Sequence, residues 1–291
     1  MRRIAVLLFL TLAWPALGRG QTTVDQRRPA APDGRIEIDN GDGSIHVIGW
    51  DKAEVAVTGT LGRRAEGLSL TGNAHRTKVE VEVEGSPHGV KSDLEIHVPA
   101  GSRLEIESFS ASISVSEVKG TVKAESVNGS ITIAGGAQEV DVQSVNGSVQ
   151  VTSPATRVHA EAVNGAVTVR EASGEIEAST VNGTLLVVGG SFERAQLETV
   201  SGSLRFEGDL GSKATLDVST VSGSVELALP ANVSADFSIS TFSGDIENQL
   251  GPQARKGSRY TPEKELSFST GSGGANVSVG TLSGNIRLVK R

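Results

Sequence analysis

The chain has 291 residues, a formal net charge of −7 and no cysteine. The missing cysteines exclude disulfides, thiolate metal sites and cysteine nucleophiles, and an acidic balance argues against nucleic acid or anionic lipid as partner, since both need clustered Lys and Arg. Glycine is abundant at 35 residues and aromatics are only 3%, which suits a thin, repetitive core of small apolar side chains better than an aromatic-filled enzyme interior.

At the N-terminus Arg2 and Arg3 precede an apolar run from Ile4 to Ala13, Trp14-Pro15 breaks it, and Ala16-Leu17-Gly18 offers small residues for cleavage. This is the layout of a secretory signal peptide over residues 1–18. The run is about ten residues, against roughly 20 needed to span a bilayer as a helix, and no transmembrane span is expected in the mature chain. No cysteine follows it to accept a lipid. Loss of Arg2 and Arg3 with the leader takes the net charge from −7 to −9. The expected location is periplasmic, cell-surface or extracellular. Residues 19–33, with Gln26, Arg27, Arg28, Pro29 and Pro32, read as a flexible lead-in. Residues 34–106 read as an irregular N-terminal β cap, in which Ile36 and Ile38, Ile45 and Val47, Val55 and Val57, Val79 to Val83, and Leu94 to Val98 each mark a strand. Such a cap would cover an open coil edge that otherwise invites aggregation.

Residues 107–291 carry a repeat. The motif Ser/Thr, apolar, Asn/Ser, Gly, small polar, apolar occurs as Ser126-Val127-Asn128-Gly129-Ser130-Ile131 and returns around Asn146-Gly147, Asn164-Gly165 and Asn182-Gly183. It continues with Ser in place of Asn at Ser201-Gly202, Ser222-Gly223, Ser243-Gly244 and Ser283-Gly284. Ser108-Phe109-Ser110-Ala111-Ser112-Ile113 is a degenerate earlier copy, and Asp42-Gly43-Ser44-Ile45 reads as a still earlier one. Gly129, Gly147, Gly165 and Gly183 are 18 residues apart, and Gly202, Gly223 and Gly244 follow at 19, 21 and 21. Gly284 lies 40 further on, two periods or one insertion. That period is too short for a helical-pair repeat and fits one coil of a β-solenoid.

Apolar residues alternate on both sides of each glycine, as in Val140 and Val142 before Gly147 and Val149 and Val151 after it. Period two with β-branched residues is strand chemistry. The expected fold is all-β, a single-stranded parallel β-solenoid of about 18–21 residues per coil with irregular β caps, right-handed by the crossover rule. An antiparallel meander with Asn-Gly hairpins is the competing reading. The structural corner residues are Asn128, Gly129, Asn146, Gly147, Asn164, Gly165, Asn182, Gly183, Gly202, Gly223, Gly244 and Gly284, with glycine expected to supply positive φ. The corner asparagines should stack in a ladder continued by Ser201, Ser222 and Ser243. Ser126, Ser144, Thr180, Thr199, Thr220 and Thr241 should form another. Residues 248–265, with Gly251-Pro252 and Arg255-Lys256, read as a loop, and Leu266 to Leu288 as the repeat that closes the end.

No catalytic, cofactor or metal site emerges from these residues. His46, His75, His88, His97 and His159 form no ligand cluster. Asp39-Asn40-Gly41-Asp42-Gly43 resembles a fragment of a calcium loop but lacks the closing Glu. Trp50 and Tyr260, the few aromatics that could stack on a sugar, read as packing or cap residues. Two functions follow. The first is a non-catalytic interaction scaffold whose partner is an envelope polymer or envelope protein. The alternative is a solenoid enzyme acting on envelope polysaccharide through an acidic strip of Glu161, Glu177 and Glu198; the competing reading of that strip is a solvated face.

The repeated apolar-Asn/Ser-Gly corners resemble the bacterial "putative adhesin" family of β-strand-repeat domains of unknown function. Leu94-Glu95-Ile96-His97-Val98-Pro99-Ala100 and Val225-Glu226-Leu227-Ala228-Leu229-Pro230-Ala231, strands that end in Pro-Ala, add to the resemblance. It covers roughly residues 34–290 and implies an envelope-associated β-solenoid. It supplies no catalytic residues to carry over.

Overall fold

A computed structural model describes residues 22–85, 89–256 and 262–291. The signal peptide of residues 1–18, the first residues of the lead-in, His88 and Tyr260 lie outside them. The described residues form strands and turns without a helix, and none of their segments is a helix long and apolar enough to cross a membrane.

The regular part is a parallel β-solenoid. Strand Thr121–Ser126 pairs in parallel with Glu139–Ser144, which pairs with Arg157–Ala162, which pairs with Gly174–Asn182. The second arm repeats this with Ile131–Ala134, Val149–Thr152 and Val167–Arg170. Equivalent residues stand in register, so Val140 lies between Val122 and Val158. Inward positions are Val, Ile or Ala and fully buried, as at Val142, Ala160, Val151 and Val169. Ala137, Ala155 and Ala172 fill the narrow third side of the coil. In the longer coils the space is taken by Phe192 and Phe206, both buried, with ring centroids 5.5 Å apart.

The ends depart from sequence order. Strand Arg35–Trp50 pairs in parallel with Arg103–Ser116, placing Gly43 beside Ala111 and Ile45 beside Ile113. It is therefore a coil of the solenoid, and Asp42-Gly43-Ser44-Ile45 is a true copy of the corner. Its other edge pairs in parallel with Arg76–Val83 and Lys91–Pro99, which make the outermost coil. The cap proper consists of antiparallel strands: Glu54–Leu61 on Lys91–Pro99, Ala65–Asn73 on Arg76–Val83, and Thr22–Pro29 on Glu54–Leu61. The lead-in expected over residues 19–33 is thus corrected, since Thr22–Pro29 is a paired edge strand. Its polar sequence is explained by its place, with only Val24 packed toward the core.

The C-terminal end mirrors this. The last repeat, Ala275–Ser283 with Ile286–Lys290, does not close the rod. It sits between the coil of residues 215–229 and the coil of residues 235–248, paired in parallel with both. Lys264–Thr270 runs antiparallel along Ala235–Ser243, and Phe268 stacks on Phe237 at 4.5 Å and 3°. The loop expected over 248–265 is shorter than that, since Arg255–Lys256 pairs with the start of the capping strand. A Pro-Ala turn marks the passage between regular coils and end structure at both ends, on the return from the N-terminal cap and on the way into the C-terminal one, closed by Ser102 N–H to Pro99 O and by Val233 N–H to Pro230 O, each 3.0 Å.

Candidate functional site

Alternation along the first arm sets up the exposed face. In the coil of Thr121–Ser126, Val122, Ala124 and Ser126 point inward, while Lys123 and Glu125 point outward. The next residue, Val127, points outward too, and so does Asn128, because the chain bends there; Gly129 turns back inside. Repetition turns each position into a column along the rod.

The glycine column is required by close approach. A Cβ on Gly147 would lie 2.1 Å from the Gly129 carbonyl oxygen, one on Gly165 2.2 Å from that of Gly147, and one on Gly223 1.7 Å from that of Gly202. Of the predicted corner glycines only Gly202 and Gly223 have φ in the positive region, at 151° and 159°. The expectation of positive φ is therefore corrected for Gly129, Gly147, Gly165, Gly183, Gly244 and Gly284. The corner asparagines do not adopt positive φ either. They stack instead: Asn146 Nδ2 donates to Asn128 Oδ1 at 2.9 Å, Asn164 to Asn146 and Asn182 to Asn164 at 3.0 Å. From Gly183 onward the backbone bonding changes, and Gly183 N–H donates to Ser201 O at 3.1 Å. Asn146 N–H donates back to Val127 O at 2.8 Å, whereas Gly202 N–H donates onward to Ser222 O at 3.1 Å.

The Ser/Thr column lies buried inside the corner. Ser144 Oγ donates to Gly129 O at 3.0 Å, Thr180 Oγ1 to Gly165 O at 2.8 Å and Thr241 Oγ1 to Gly284 O at 3.1 Å, tying each coil to its neighbour. The Oγ1 atoms of Thr199, Thr220 and Thr281 are buried and find no partner among the described residues. A partnerless buried hydroxyl costs its desolvation. Thr220→Val is therefore expected to leave stability unchanged or raise it by up to about 1 kcal/mol, while Thr180→Val lowers it by about 1 kcal/mol. Urea melts of the two variants check the opposite signs.

Outside the Ser/Thr column runs an apolar seam. In spatial order it is Phe109, Val127, Val145, Val163, Val181, Val200, Val221, Leu282 and Phe242, and these are the exposed large hydrophobics of the described residues, at 37% to 56%. The seam follows the stacking, so Leu282 lies between Val221 and Phe242 despite the chain order. Beside it runs a column in register that reads Glu80, Asp39, Glu107, Glu125, Gln143, Glu161, then Ser179, Glu198 and Ser219. Column and seam wall a groove of about 580 Å³ reaching from Asp39 to Val181, continued by a smaller one to Val221.

Of the predicted acidic strip, the structure puts Glu161 and Glu198 in this column and Glu177 in the next. His159 bridges them, 3.4 Å from Glu161 and 3.5 Å from Glu177. Lys123 holds Glu125 at 2.7 Å and Gln196 holds Glu198 at 3.0 Å. Desolvation, and then the neighbouring Glu80, raise the Asp39 carboxyl above the usual carboxylate range, against the lowering pull of Lys78. Among the described residues no group of three or more His, Asp or Glu side chains is arranged to hold a metal ion. The residues Asp39-Asn40-Gly41-Asp42-Gly43 form a bend in a strand, with Asn40 buried and its Nδ2 donating to Ser92 O at 3.0 Å. Trp50 donates from Nε1 to Glu54 O at 2.9 Å and tilts against His97 at 4.8 Å, with Lys52 over its ring.

A family model described as Toastrack DUF4097 matches residues 34–289. No curated protein is significantly similar to the chain in sequence. Among solved structures the chain is similar to a putative cell adhesion protein from Clostridium sporogenes (8% identity, 93% of this chain and 100% of that one, TM-score 0.23). It is also similar to a putative adhesin from Bacteroides fragilis (10% identity, 93% and 99%, TM-score 0.30). A putative lipid binding protein from Parabacteroides distasonis gives 11% identity over 92% of this chain and 96% of that one, with a TM-score of 0.37.

Proposed function

Because the chain belongs to the Toastrack DUF4097 family, whose function is unknown, we propose on the strength of its corner face that it is a non-catalytic, exported interaction module of the cell envelope. The seam carries this reading. Nine large apolar side chains stand half-exposed in one continuous file, and contiguous exposed apolar surface marks interaction sites. Export is supported by the leader-like composition of residues 1–18. The neighbouring carboxylates Glu125, Glu161 and Glu198 lean on Lys123, His159 and Gln196 along an open groove, which favours a binding role over acid–base chemistry.

The test is retention of the purified protein on isolated peptidoglycan, envelope polysaccharide and envelope protein extract, with release of soluble fragments assayed in the same tubes. Retention without fragments is expected, and it should be lost in a variant carrying Val145→Ser, Val163→Ser and Val181→Ser. Released sugar fragments would establish the enzymatic alternative instead. Retention indifferent to the three substitutions would move the interaction to another face.

A further inference from the structure

We infer that the groove beside the seam receives a basic amphipathic α-helix of a partner protein. The helix lies along the rod, its apolar side chains on the valines and its Lys or Arg residues against the carboxylate column. The inference rests on the reading of the seam as an interaction surface and names the partner's chemistry.

The seam is a single file of β-branched and aromatic side chains spaced by one coil, about 4.8 Å. A narrow apolar file flanked by a groove is matched by the anchors that a helix presents at i, i+3, i+4 and i+7. The carboxylates fix the charge of the partner and its period. Glu125, Glu161 and Glu198 recur on every second coil, and Glu80, Asp39 and Glu107 occupy the three consecutive coils before them. Two coils advance about 9.6 Å, and seven helical residues advance about 10.5 Å. One basic residue per heptad therefore meets Glu125, Glu161 and Glu198 in turn, and the drift over their two intervals sums to about 2 Å, within the play of a Lys or Arg side chain. An extended strand places same-side residues about 6.6 Å apart and falls out of step at once.

Lys123 offsets part of the acidity from the adjoining column, where His159 contacts Glu161. That column also holds Glu105, Asp141, Glu177 and Asp217, so the face remains acidic. On the far side of the seam the Asn128-to-Asn182 ladder is neutral. A second copy running antiparallel would oppose carboxylate to carboxylate, a parallel one would set the carboxylates against the neutral ladder with no cation to meet them, and an anionic membrane would be repelled. From Phe109 to Phe242 the seam runs about 38 Å, the length of a helix of about 26 residues. Its basic residues belong opposite Glu107 to Glu198, since Ser219, Gly280 and Ser240 continue the column without charge.

The experiment measures fluorescence anisotropy of a labelled synthetic helix of about four heptads with the purified protein. The helix carries Leu at its apolar positions and one flanking Lys per heptad; its twin carries Glu in place of each Lys. At low salt the Lys helix is expected to bind at least about tenfold tighter than the twin, with the preference shrinking as salt rises. Glu125→Gln with Glu161→Gln and Glu198→Gln should erase most of that preference, and Val145→Ser with Val163→Ser should weaken both helices. All five positions are solvent-accessible, so circular dichroism should show the variants folded. Equal binding of the two helices, a preference surviving the Gln substitutions, capture of anionic vesicles instead, or self-association through the seam would overturn the inference. If seam-dependent retention on envelope material is observed while the Lys helix fails to bind, the interaction reading stands and the helical partner falls. If both fail, both fall.

Discussion

Gly147→Ala is expected to destabilise the protein by about 3 kcal/mol, at the upper end of what one inserted methyl normally costs. The added carbon would lie 2.1 Å from the Gly129 carbonyl oxygen and 2.6 Å from its carbon. Those atoms are backbone held in the ladder of the next coil, so relief requires two coils to part rather than a side chain to turn. The same logic makes Gly147→Val worse. Gly280→Ala is the internal control. Nothing lies within 4 Å of a Cβ there, and its effect should be within about 0.5 kcal/mol of zero. Chemical denaturation of the pair checks the contrast. Equal, small effects would show that the corners are looser than their geometry.

Removing residues 272–291 should cost still more. In a solenoid wound in sequence order, loss of the last repeat exposes one coil face. Here the last repeat lies between two others, so its loss unpairs residues 215–229 on one side and 235–248 on the other. Val277, Val279, Ile286 and Leu288 are buried, and at roughly 1.5–3 kcal/mol each they alone represent upward of about 6 kcal/mol. Residues 235–270 of the truncated chain should lose hydrogen-exchange protection and become open to protease, while residues 121–182 stay protected. Retained protection across 235–248 would mean that this coil had moved up to take the empty place, and that the inserted repeat is dispensable.

The same interchangeability explains what the sequence shows and what it hides. Strand positions, the 18-residue period, the asparagine ladder and the glycine column can all be read from residues 107–247, because each is a local pattern repeated in register. The order of the end coils cannot. A corner such as Thr281-Leu282-Ser283-Gly284 stacks as well on Thr220-Val221-Ser222-Gly223 as Thr241-Phe242-Ser243-Gly244 does, so nothing local says which comes next. The reason for glycine is hidden for a related cause, since a clash with the neighbouring coil is invisible in one strand taken alone. Strand Thr22–Pro29 carries no apolar alternation because an edge strand over a cap has only Val24 to bury. The seam, by contrast, is legible in the sequence. Counting by twos from Ala124 puts Ser126 inside and Val127 outside, and the same count applied to Val145 or Val163 gives a file of exposed valines.

A coil closes on itself, so the interaction face of this rod can change length only in whole steps. One more 18-residue unit in the middle would add about 4.8 Å, one seam residue, one ladder amide and one position in the carboxylate column, and leave both end structures untouched. An odd insertion within an arm would instead invert its alternation and bury the seam. Reach and valence are therefore counted in integers, like beads on a gauge, while the chemistry at each mark is set independently by the residue placed there.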